Sequence, residues 1–184
     1  MTRPKMLSGF ALAFALSLTA LPGYAQVTVG GAAMYPTKDI IDNAVNSKDH
    51  TTLVAAVKAA GLVETLKSPG PFTVFAPTNE AFAALPAGTV DTLLKPENKP
   101  TLTRVLTYHV VAGNMDAAAL KKQINADHGK TVLKTVSGGT LTAMASGNTI
   151  TLTDDNGGVS KVTIADVRQS NGVIHVVDHV SLPN

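Results

Sequence analysis

The pattern of hydrophobic and polar positions changes along the chain from a helical period to a strand period. In the first half, apolar residues recur three and four positions apart, as in Leu53, Ala56 and Ala60, which predicts amphipathic helices. From Lys130 onward the period is two, as in residues 149–153, where threonine alternates with isoleucine or leucine. This alternation predicts strands with one buried face. Helices followed by strands indicate an α+β fold.

The same two periods give the remaining elements. Helices are predicted at residues 40–45, 51–60, 90–94 and 96–109. Strands separated by turns that contain Gly or Asn are predicted at residues 130–136, 140–145, 149–153, 159–167 and 173–182. The last of these strands carries apolar residues on both faces, so we expect it to lie in the centre of the sheet.

Residues 73–82 join a strand directly to a helix. The first four residues are mostly β-branched or aromatic and predict a strand. Thr78 and Asn79 are both favourable N-cap residues for the helix that follows. Phe75 and Phe82 then belong to two different elements, and we expect them to anchor one shared core.

The N-terminus has the three parts of a secretion signal. Arg3 and Lys5 precede an apolar run over residues 6–21, and Gly23 and Ala25 provide small residues at a cleavage site. We therefore expect residues 1–25 to be a signal peptide that is removed in the mature protein. No other segment is apolar over the ~20 residues that a membrane span needs, so no stable membrane insertion is expected after cleavage.

Composition and charge narrow the class of protein further. The chain has 184 residues, 45% of them hydrophobic and 15% charged, which indicates one globular domain. There is no cysteine, which excludes disulfides, thiolate nucleophiles and lipidated cysteine. Loss of Arg3 and Lys5 balances the acidic and basic residues at 13 each. No basic stripe with interleaved aromatic residues is present, so a nucleic-acid partner is not supported.

Three stretches resemble the signature boxes of the fasciclin domain. They are Thr-Val-Phe-Ala-Pro-Thr-Asn-x-Ala-Phe at 73–82, Leu-x-Tyr-His-Val-Val at 106–111, and Asn-Gly-Val-Ile-His-Val-Val-Asp-x-Val-x-Leu-Pro at 171–183. The resemblance implies a β-sandwich or wedge of mixed strands, with flanking helices packed on the N-terminal half. We expect the fasciclin domain to span residues 37–183, preceded by a Gly-rich linker at residues 26–36.

The resemblance also nominates functional residues. Structural roles in the boxes are implied for Phe75, Thr78, Asn79, Phe82, Gly172, His175 and Asp178. In animal fasciclin proteins the Tyr-His region and an Asp-Ile pair before the third box are implicated in integrin binding. The matching positions here are Tyr108 with His109 and Asp166 with Val167, and these four are the candidates for partner binding.

Tyr108 and His109 have a second interpretation that follows from their position on an apolar helix face. They can form a buried core pair whose OH and ring nitrogens bind internal partners. We expect His109 to be buried and neutral, with Thr78 and Asn79 as its hydrogen-bond partners.

The sequence gives no catalytic, cofactor or metal site. His175 and His179 lie four residues apart on a predicted strand, which separates their Cα atoms by ~13 Å and prevents them from sharing a metal ion. A hydrogen-bonded structural His175 and an exposed His179 are expected instead. Asp154 to Gly157 lacks the acid spacing of a calcium loop and is predicted to be a turn. No nucleophile elbow, P-loop or dinucleotide fingerprint is present.

These observations favour a secreted, non-catalytic fasciclin protein, extracellular or periplasmic. It would act in cell adhesion or in interaction with a surface or matrix protein or a polysaccharide. One alternative is a soluble binding protein for a small apolar or carbohydrate ligand, which requires a deep pocket of several hundred Å³. The other is an extracytoplasmic hydrolase, which requires a cleft with convergent polar groups and perturbed pKa values.

Overall fold

The computed structural model describes residues 26–184, and the predicted signal peptide lies outside them. Seven α-helices and two short 3-10 helices occur in the described part of the chain. The α-helices are Ile40–Ala44 (α1), Thr51–Ala60 (α2), Val63–Lys67 (α3), Asn79–Ala83 (α4), Thr89–Leu93 (α5), Lys99–Tyr108 (α6) and Ala117–Ala126 (α7). The 3-10 helices are Lys48–His50 and Pro96–Asn98.

The described residues also form nine β-strands. They are Thr28–Val29 (β1), Ala32–Ala33 (β2), Phe72–Pro77 (β3), Val110–Ala112 (β4), Lys130–Lys134 (β5), Thr140–Ser146 (β6), Thr149–Thr153 (β7), Val159–Gln169 (β8) and Gly172–Val177 (β9). Strands β3 to β9 make one seven-stranded sheet in the order β4-β3-β9-β8-β7-β6-β5.

The central position predicted for the last strand is confirmed. Strand β9 lies between β3, which is parallel to it, and β8, which is antiparallel. All six residues of β9 are buried, because both of its faces are covered. The strand ends at Val177 rather than near Leu182. There the Asp178 carboxylate accepts a hydrogen bond from the main-chain N–H of Lys161 at 2.8 Å, and the chain leaves the sheet.

Strand β8 bends the sheet into a wedge. Its first residues, Val159 to Lys161, pair with β7, and its later residues pair with β9 across two irregularities in register. Asp166, in the second irregularity, has a φ of 59°. Such bulges bend a strand and increase its twist. Opposite the bend, the Val136 N–H donates to the Val110 carbonyl at 2.8 Å, which holds the end of β5 against β4. The predicted α+β wedge is therefore confirmed.

The two faces of the sheet bury two hydrophobic cores. The first lies between the helices of the N-terminal half and the β3–β9 region, and includes Phe82, Leu106 and Ile174. The second fills the inside of the wedge and includes Phe75 and Tyr108. Phe75 and Phe82 are both buried as expected. The expectation that they share one core is wrong. Phe75 points from β3 into the second core, whereas Phe82 lies on α4, which packs in the first core.

Helix α7 closes the second core and was not expected from the sequence pattern. Its apolar period consists of one pair, Leu120 and Ile124, whose side chains are fully buried. One i, i+4 pair is too short a repeat to identify a helix by period. The sequence feature that could have predicted α7 is Asp116, a favourable N-cap residue. Its carboxylate accepts the Ala119 N–H at 2.8 Å.

Residues 26–36 are packed against the domain and do not form the expected linker. Strands β1 and β2 pair as a small hairpin, and Val29 and Met34 beside them are buried in the first core. Gly30 and Gly31 have φ values of 58° and 75° and form the turn between the strands. A Cβ at Gly30 would lie 2.4 Å from the Ser47 hydroxyl. The glycines that suggested flexibility therefore serve a tight turn with close packing.

Candidate functional site

The polar residues of the opening box connect neighbouring helices. Thr78 caps α4, since its hydroxyl accepts the Ala81 N–H at 3.2 Å. Asn79 is the first residue of that helix, but its side chain acts on α2. The amide oxygen of Asn79 accepts the Thr52 N–H at 3.0 Å, and its NH₂ donates to the Lys48 carbonyl at 2.7 Å. Because α2 has no side-chain cap of its own, Asn79 provides that cap from a distant part of the sequence.

His109 of the second box is buried and is held by partners on both ring nitrogens. Nδ1 lies 2.8 Å from the Val105 carbonyl, and the Ser181 N–H donates to Nε2 at 2.9 Å. A backbone N–H can only donate, so Nε2 is the acceptor and the ring proton is on Nδ1. Burial lowers the pKa of His109 and keeps the ring neutral. The expected pairing with Thr78 and Asn79 is therefore wrong, and the true partner is at the end of the third box.

Tyr108 lies inside the wedge with no exposed surface. Its hydroxyl donates to the Thr140 carbonyl and accepts the Asp155 N–H at 3.0 Å. Burial, together with the nearby Asp155 charge, raises the pKa of Tyr108 to about 12. The phenol is therefore protonated at neutral pH and ties α6 to β6 and to the turn after β7.

His175 of the third box occupies the centre of the sheet. Its ring stacks on Phe75 with the centroids 5.6 Å apart. Nε2 lies 2.8 Å from the Met115 carbonyl, and Nδ1 accepts the Asp166 N–H at 3.3 Å. Burial lowers the pKa of His175, so the neutral form is favoured. His175 is therefore a hydrogen-bonded core residue, as expected from its strand position.

The last residues of the third box reach the surface. The ring of His179 is 59% exposed, and its Nδ1 lies 2.8 Å from the Asp178 carboxylate. Burial opposes ionisation of Asp178, but its hydrogen bonds to His179 and to the Lys161 N–H lower its pKa below the usual range. His175 and His179 thus lie in different environments and do not converge on a common ion.

Asp166 and Val167 are held within the bulge of β8. Val167 is 1% exposed, so its side chain offers no contact surface in this structure. The Asp166 carboxylate is part-buried and accepts the N–H of Ala117, the first residue of α7, at 2.6 Å. Asp116, which precedes Ala117 in the chain, forms an ion pair with Arg168 at 3.0 Å. The hydrogen bond of Asp116 to the Ala119 N–H, helped by Arg168, lowers its pKa. These contacts fix α7 against β8.

Asn171 and Gly172, the first two residues of the third box, are in close contact with neighbouring elements. A Cβ on Gly172 would lie 2.0 Å from the Phe72 carbonyl oxygen, so β3 and β9 approach closely only with glycine there. The Asn171 amide oxygen accepts the Ile40 N–H at 3.1 Å, and its NH₂ donates to the Leu66 carbonyl at 2.7 Å. Neither the turn predicted before the last strand nor the third box indicates that Asn171 also joins α1 and α3 to the sheet.

The concave features of residues 26–184 include a buried cavity and an open cleft. A cavity of about 70 Å³ lies in the first core, lined mainly by apolar side chains and by His50 and His109. A more open cleft of about 380 Å³ lies between β4 and β5, with Ala112, Met115 and Val132 among its lining residues. Val132 is 60% exposed and is the most exposed large hydrophobic residue of the described chain.

Within residues 26–184, no three His, Asp or Glu side chains are grouped so that they can hold a metal ion. Over the same residues, no helix combines the length and the apolar character needed to cross a membrane.

Comparison with known proteins agrees with the three boxes. A family model described as the Fasciclin domain matches residues 48–183. Protein sll1483 of Synechocystis sp. is 47% identical over 160 residues, which cover 86% of this chain and 81% of that protein. Immunogenic protein MPB70 of Mycobacterium bovis is 36% identical over 145 residues, which cover 76% of this chain and 66% of that protein. A solved FAS1 domain pair from the insect cell adhesion molecule Fasciclin I has a TM-score of 0.69 at 15% identity, covering 78% of this chain and 50% of that one.

Proposed function

This chain belongs to the fasciclin domain family, and we propose that it is a secreted, non-catalytic module for cell adhesion or extracellular interaction. One observation carries the proposal. The Tyr and His side chains of the signature boxes, Tyr108, His109 and His175, are buried and bound to internal partners. A ring with both nitrogens engaged in the core is not positioned to transfer protons to a substrate. The boxes therefore build the scaffold, and its outer surface is left for recognition.

The adhesion role is supported by similarity of fold. The solved domain pair with the same fold comes from a protein named as a cell adhesion molecule. The partner proposed here is a surface or matrix protein or a polysaccharide. The cavity in the first core is apolar but measures only about 70 Å³. The feature of about 380 Å³ reaches several hundred Å³ but is an open cleft, whereas the alternative ligand-binding role requires a deep pocket of that volume. Adhesion is therefore the better-supported function.

Secretion is part of the same proposal and rests on the tripartite N-terminus. The mature protein would begin at Gln26 and act outside the cytoplasm, in the periplasm or beyond the cell. N-terminal sequencing of exported material, after removal of any pyroglutamate, should give Gln-Val-Thr-Val. Recovery of membrane-embedded protein that still carries Met1 would contradict this.

The interaction role can be tested with the mature protein immobilised and exposed to host and bacterial surface fractions. We expect saturable retention of a surface component. Tyr108→Phe serves as the matched control, because it removes the OH that binds Thr140 and Asp155 and changes little else. It should lower the free energy of unfolding by about 1–3 kcal/mol while the folded protein retains the same component. Absence of retention from every fraction would refute the proposed function.

A further inference from the structure

Within the described chain, the main-chain edge of β5 that faces away from β6 meets another strand only at its end, through the bridge between Thr135 and Val111 of β4. In the antiparallel β5–β6 pair the Thr135 N–H donates to the Gly139 carbonyl at 3.0 Å. The register continues through Leu133↔Leu141 and Thr131↔Ala143, so the odd-numbered residues exchange hydrogen bonds with β6. Alternate residues of an antiparallel strand direct their main-chain groups to opposite sides. Those of Lys130, Val132 and Lys134 therefore face away from β6.

The cleft of about 380 Å³ lies along this edge, and β4 forms its other wall. The Val136 N–H reaches the Val110 carbonyl at 2.8 Å and joins the two strands at one end of the cleft. On β4 the Gly113 N–H bonds to the Pro71 carbonyl at 2.9 Å, on the side of β3. By the same alternation, the main-chain groups of Ala112 point away from β3 and toward β5. The antiparallel bridge between Val111 and Thr135 pairs the Ala112 N–H with the Lys134 carbonyl at this end. Beyond it, the outward peptide groups of Lys130 and Val132 line the cleft.

The side chains on the outer face of β5 form a short pattern of charge and apolar surface. Lys130, Val132 and Lys134 are all exposed, whereas Thr131 and Leu133 between them are buried. If two copies of the chain paired antiparallel through this edge about Val132, Lys130 of each would lie opposite Lys134 of the other. Like charges directly opposite are destabilising. The lysines therefore disfavour self-association and favour an acidic partner.

We propose that the outer edge of β5 binds an extended peptide segment of a partner protein as an added strand. The segment would carry acidic residues two positions on either side of an apolar residue. This inference deepens the proposed interaction function and rests on it. Main-chain hydrogen bonds to Lys130 and Val132 provide affinity, as in other strand-addition complexes. The two charge pairs fix the register, with the apolar residue opposite Val132.

The side chains between those three positions point the other way. In an antiparallel strand they lie on the same face as Leu133, toward Met115 and Gln123 in the cleft. Small or β-branched residues fit there, because the cleft is shallow and partly apolar. The predicted recognition sequence is acidic, small, apolar, small, acidic.

The probe for this site is the peptide acetyl-Glu-Thr-Val-Thr-Glu-amide, titrated into the mature protein and followed by NMR. Binding should slow hydrogen exchange of the Lys130 and Val132 amides, which face the cleft. The amides of Thr131 and Leu133 already bond to β6 and should change little. This alternating protection is specific to strand addition at β5, and protection located elsewhere would refute the proposal.

Charge exchange tests the register. The double variant Lys130→Glu/Lys134→Glu should weaken binding by about tenfold or more, because two exposed pairs change from attraction to repulsion. A peptide with Lys in place of both Glu residues should restore binding to that variant. Lys58→Glu/Lys161→Glu makes the same change in net charge away from β5 and should bind as the wild type does. Equal affinity in all three proteins would refute the register.

Val132→Pro tests the main-chain contact. Its N–H faces the cleft, so proline removes an edge donor without removing a bond to β6. Thermal unfolding should show a folded protein, and peptide binding should be lost. If the variant is folded and binds normally, or if sedimentation shows wild-type dimers that Val132→Pro dissociates, the proposal is wrong. Surface retention of the wild type that persists in Val132→Pro would refute this site alone, whereas absence of retention in the wild type would refute the proposed function.

Discussion

Replacement of His109 gives the sharpest test of how the second and third boxes are joined. The ring is 3% exposed, and its Nε2 is the acceptor for the Ser181 N–H at 2.9 Å. Ser181 is itself 3% exposed, so water does not readily replace the lost acceptor. His109→Ala therefore creates a cavity and leaves a buried donor without a partner.

The magnitude follows from these two effects. Truncation of a large buried side chain to alanine costs about 2–5 kcal/mol. A buried N–H without a partner costs about 1–3 kcal/mol. The terms overlap because partial collapse of the cavity can bring another acceptor to Ser181. We expect a total loss of about 3–5 kcal/mol, a large part of the 5–15 kcal/mol typical of a native domain.

Two polar replacements separate the hydrogen bond from the cavity. His109→Gln places an amide oxygen near the position of Nε2 and can accept from Ser181. His109→Asn is shorter and can donate only to the Val105 carbonyl, near the position of Nδ1. His109→Gln should therefore be more stable than His109→Asn by about 1–2 kcal/mol, since only glutamine satisfies the buried donor.

Urea denaturation of the three variants, monitored by circular dichroism, measures these differences. His109→Gln should also reduce the acid sensitivity of stability. The folded pKa of His109 is lowered from 6.5 by burial, so below pH 6.5 the unfolded chain binds more protons and stability falls. Removing this imidazole should reduce the fall in the free energy of unfolding by about 1.4 kcal/mol for each pH unit below 6.5. A loss under 1 kcal/mol in His109→Ala, or equal stability of the Gln and Asn variants, would refute the assigned contact.

Three further predictions concern the core. Gly172→Ala should lower the free energy of unfolding, measured by chemical denaturation, by about 3 kcal/mol or more, because the added Cβ would lie 2.0 Å from the Phe72 carbonyl oxygen. An unchanged free energy of unfolding would mean that β3 and β9 separate easily. Phe75→Ala should lose about 3–5 kcal/mol, and a loss under 1 kcal/mol would contradict its role as an anchor. The pKa values of three buried histidines, at positions 50, 109 and 175, are lowered by burial. Wild-type stability should therefore be complete above pH 6.5 and fall below it by about 1.4 kcal/mol per pH unit for each, whereas a flat profile from pH 7.5 to 5.5 would contradict their burial as neutral rings.

The sequence by itself was sufficient for features that depend on near neighbours. The period of two identified the strands from Lys130 onward, and the apolar character of both faces placed β9 at the centre of the sheet. The N-cap of α4 was narrowed to Thr78 or Asn79, because capping joins a side chain to an N–H two or three residues away, and Thr78 is the cap in the structure. The three boxes identified the family, and with it the α+β wedge.

Tertiary structure decided which polar groups meet. Asn79 reaches Thr52 across 27 positions, His109 reaches Ser181 across 72, and Asn171 reaches Ile40 across 131. No local rule gives such pairs, because they depend on strand register and on how the helices lie against the sheet. For the same reason, a pattern of periods could not show that Gly30 closes a hairpin or that one apolar pair suffices to bury α7.

The location of the candidate binding surface also depended partly on the sequence and partly on the tertiary structure. The sequence nominated Tyr108, His109, Asp166 and Val167 by resemblance, but the fold buries Tyr108, His109 and Val167 and ties Asp166 to α7. The alternation of Lys130, Val132 and Lys134 is visible in the sequence, whereas the free side of β5 is not. Periodicity specifies which face of a strand is buried, because successive side chains point to opposite faces. Which edge stays unpaired is fixed only by the order of strands in the completed sheet.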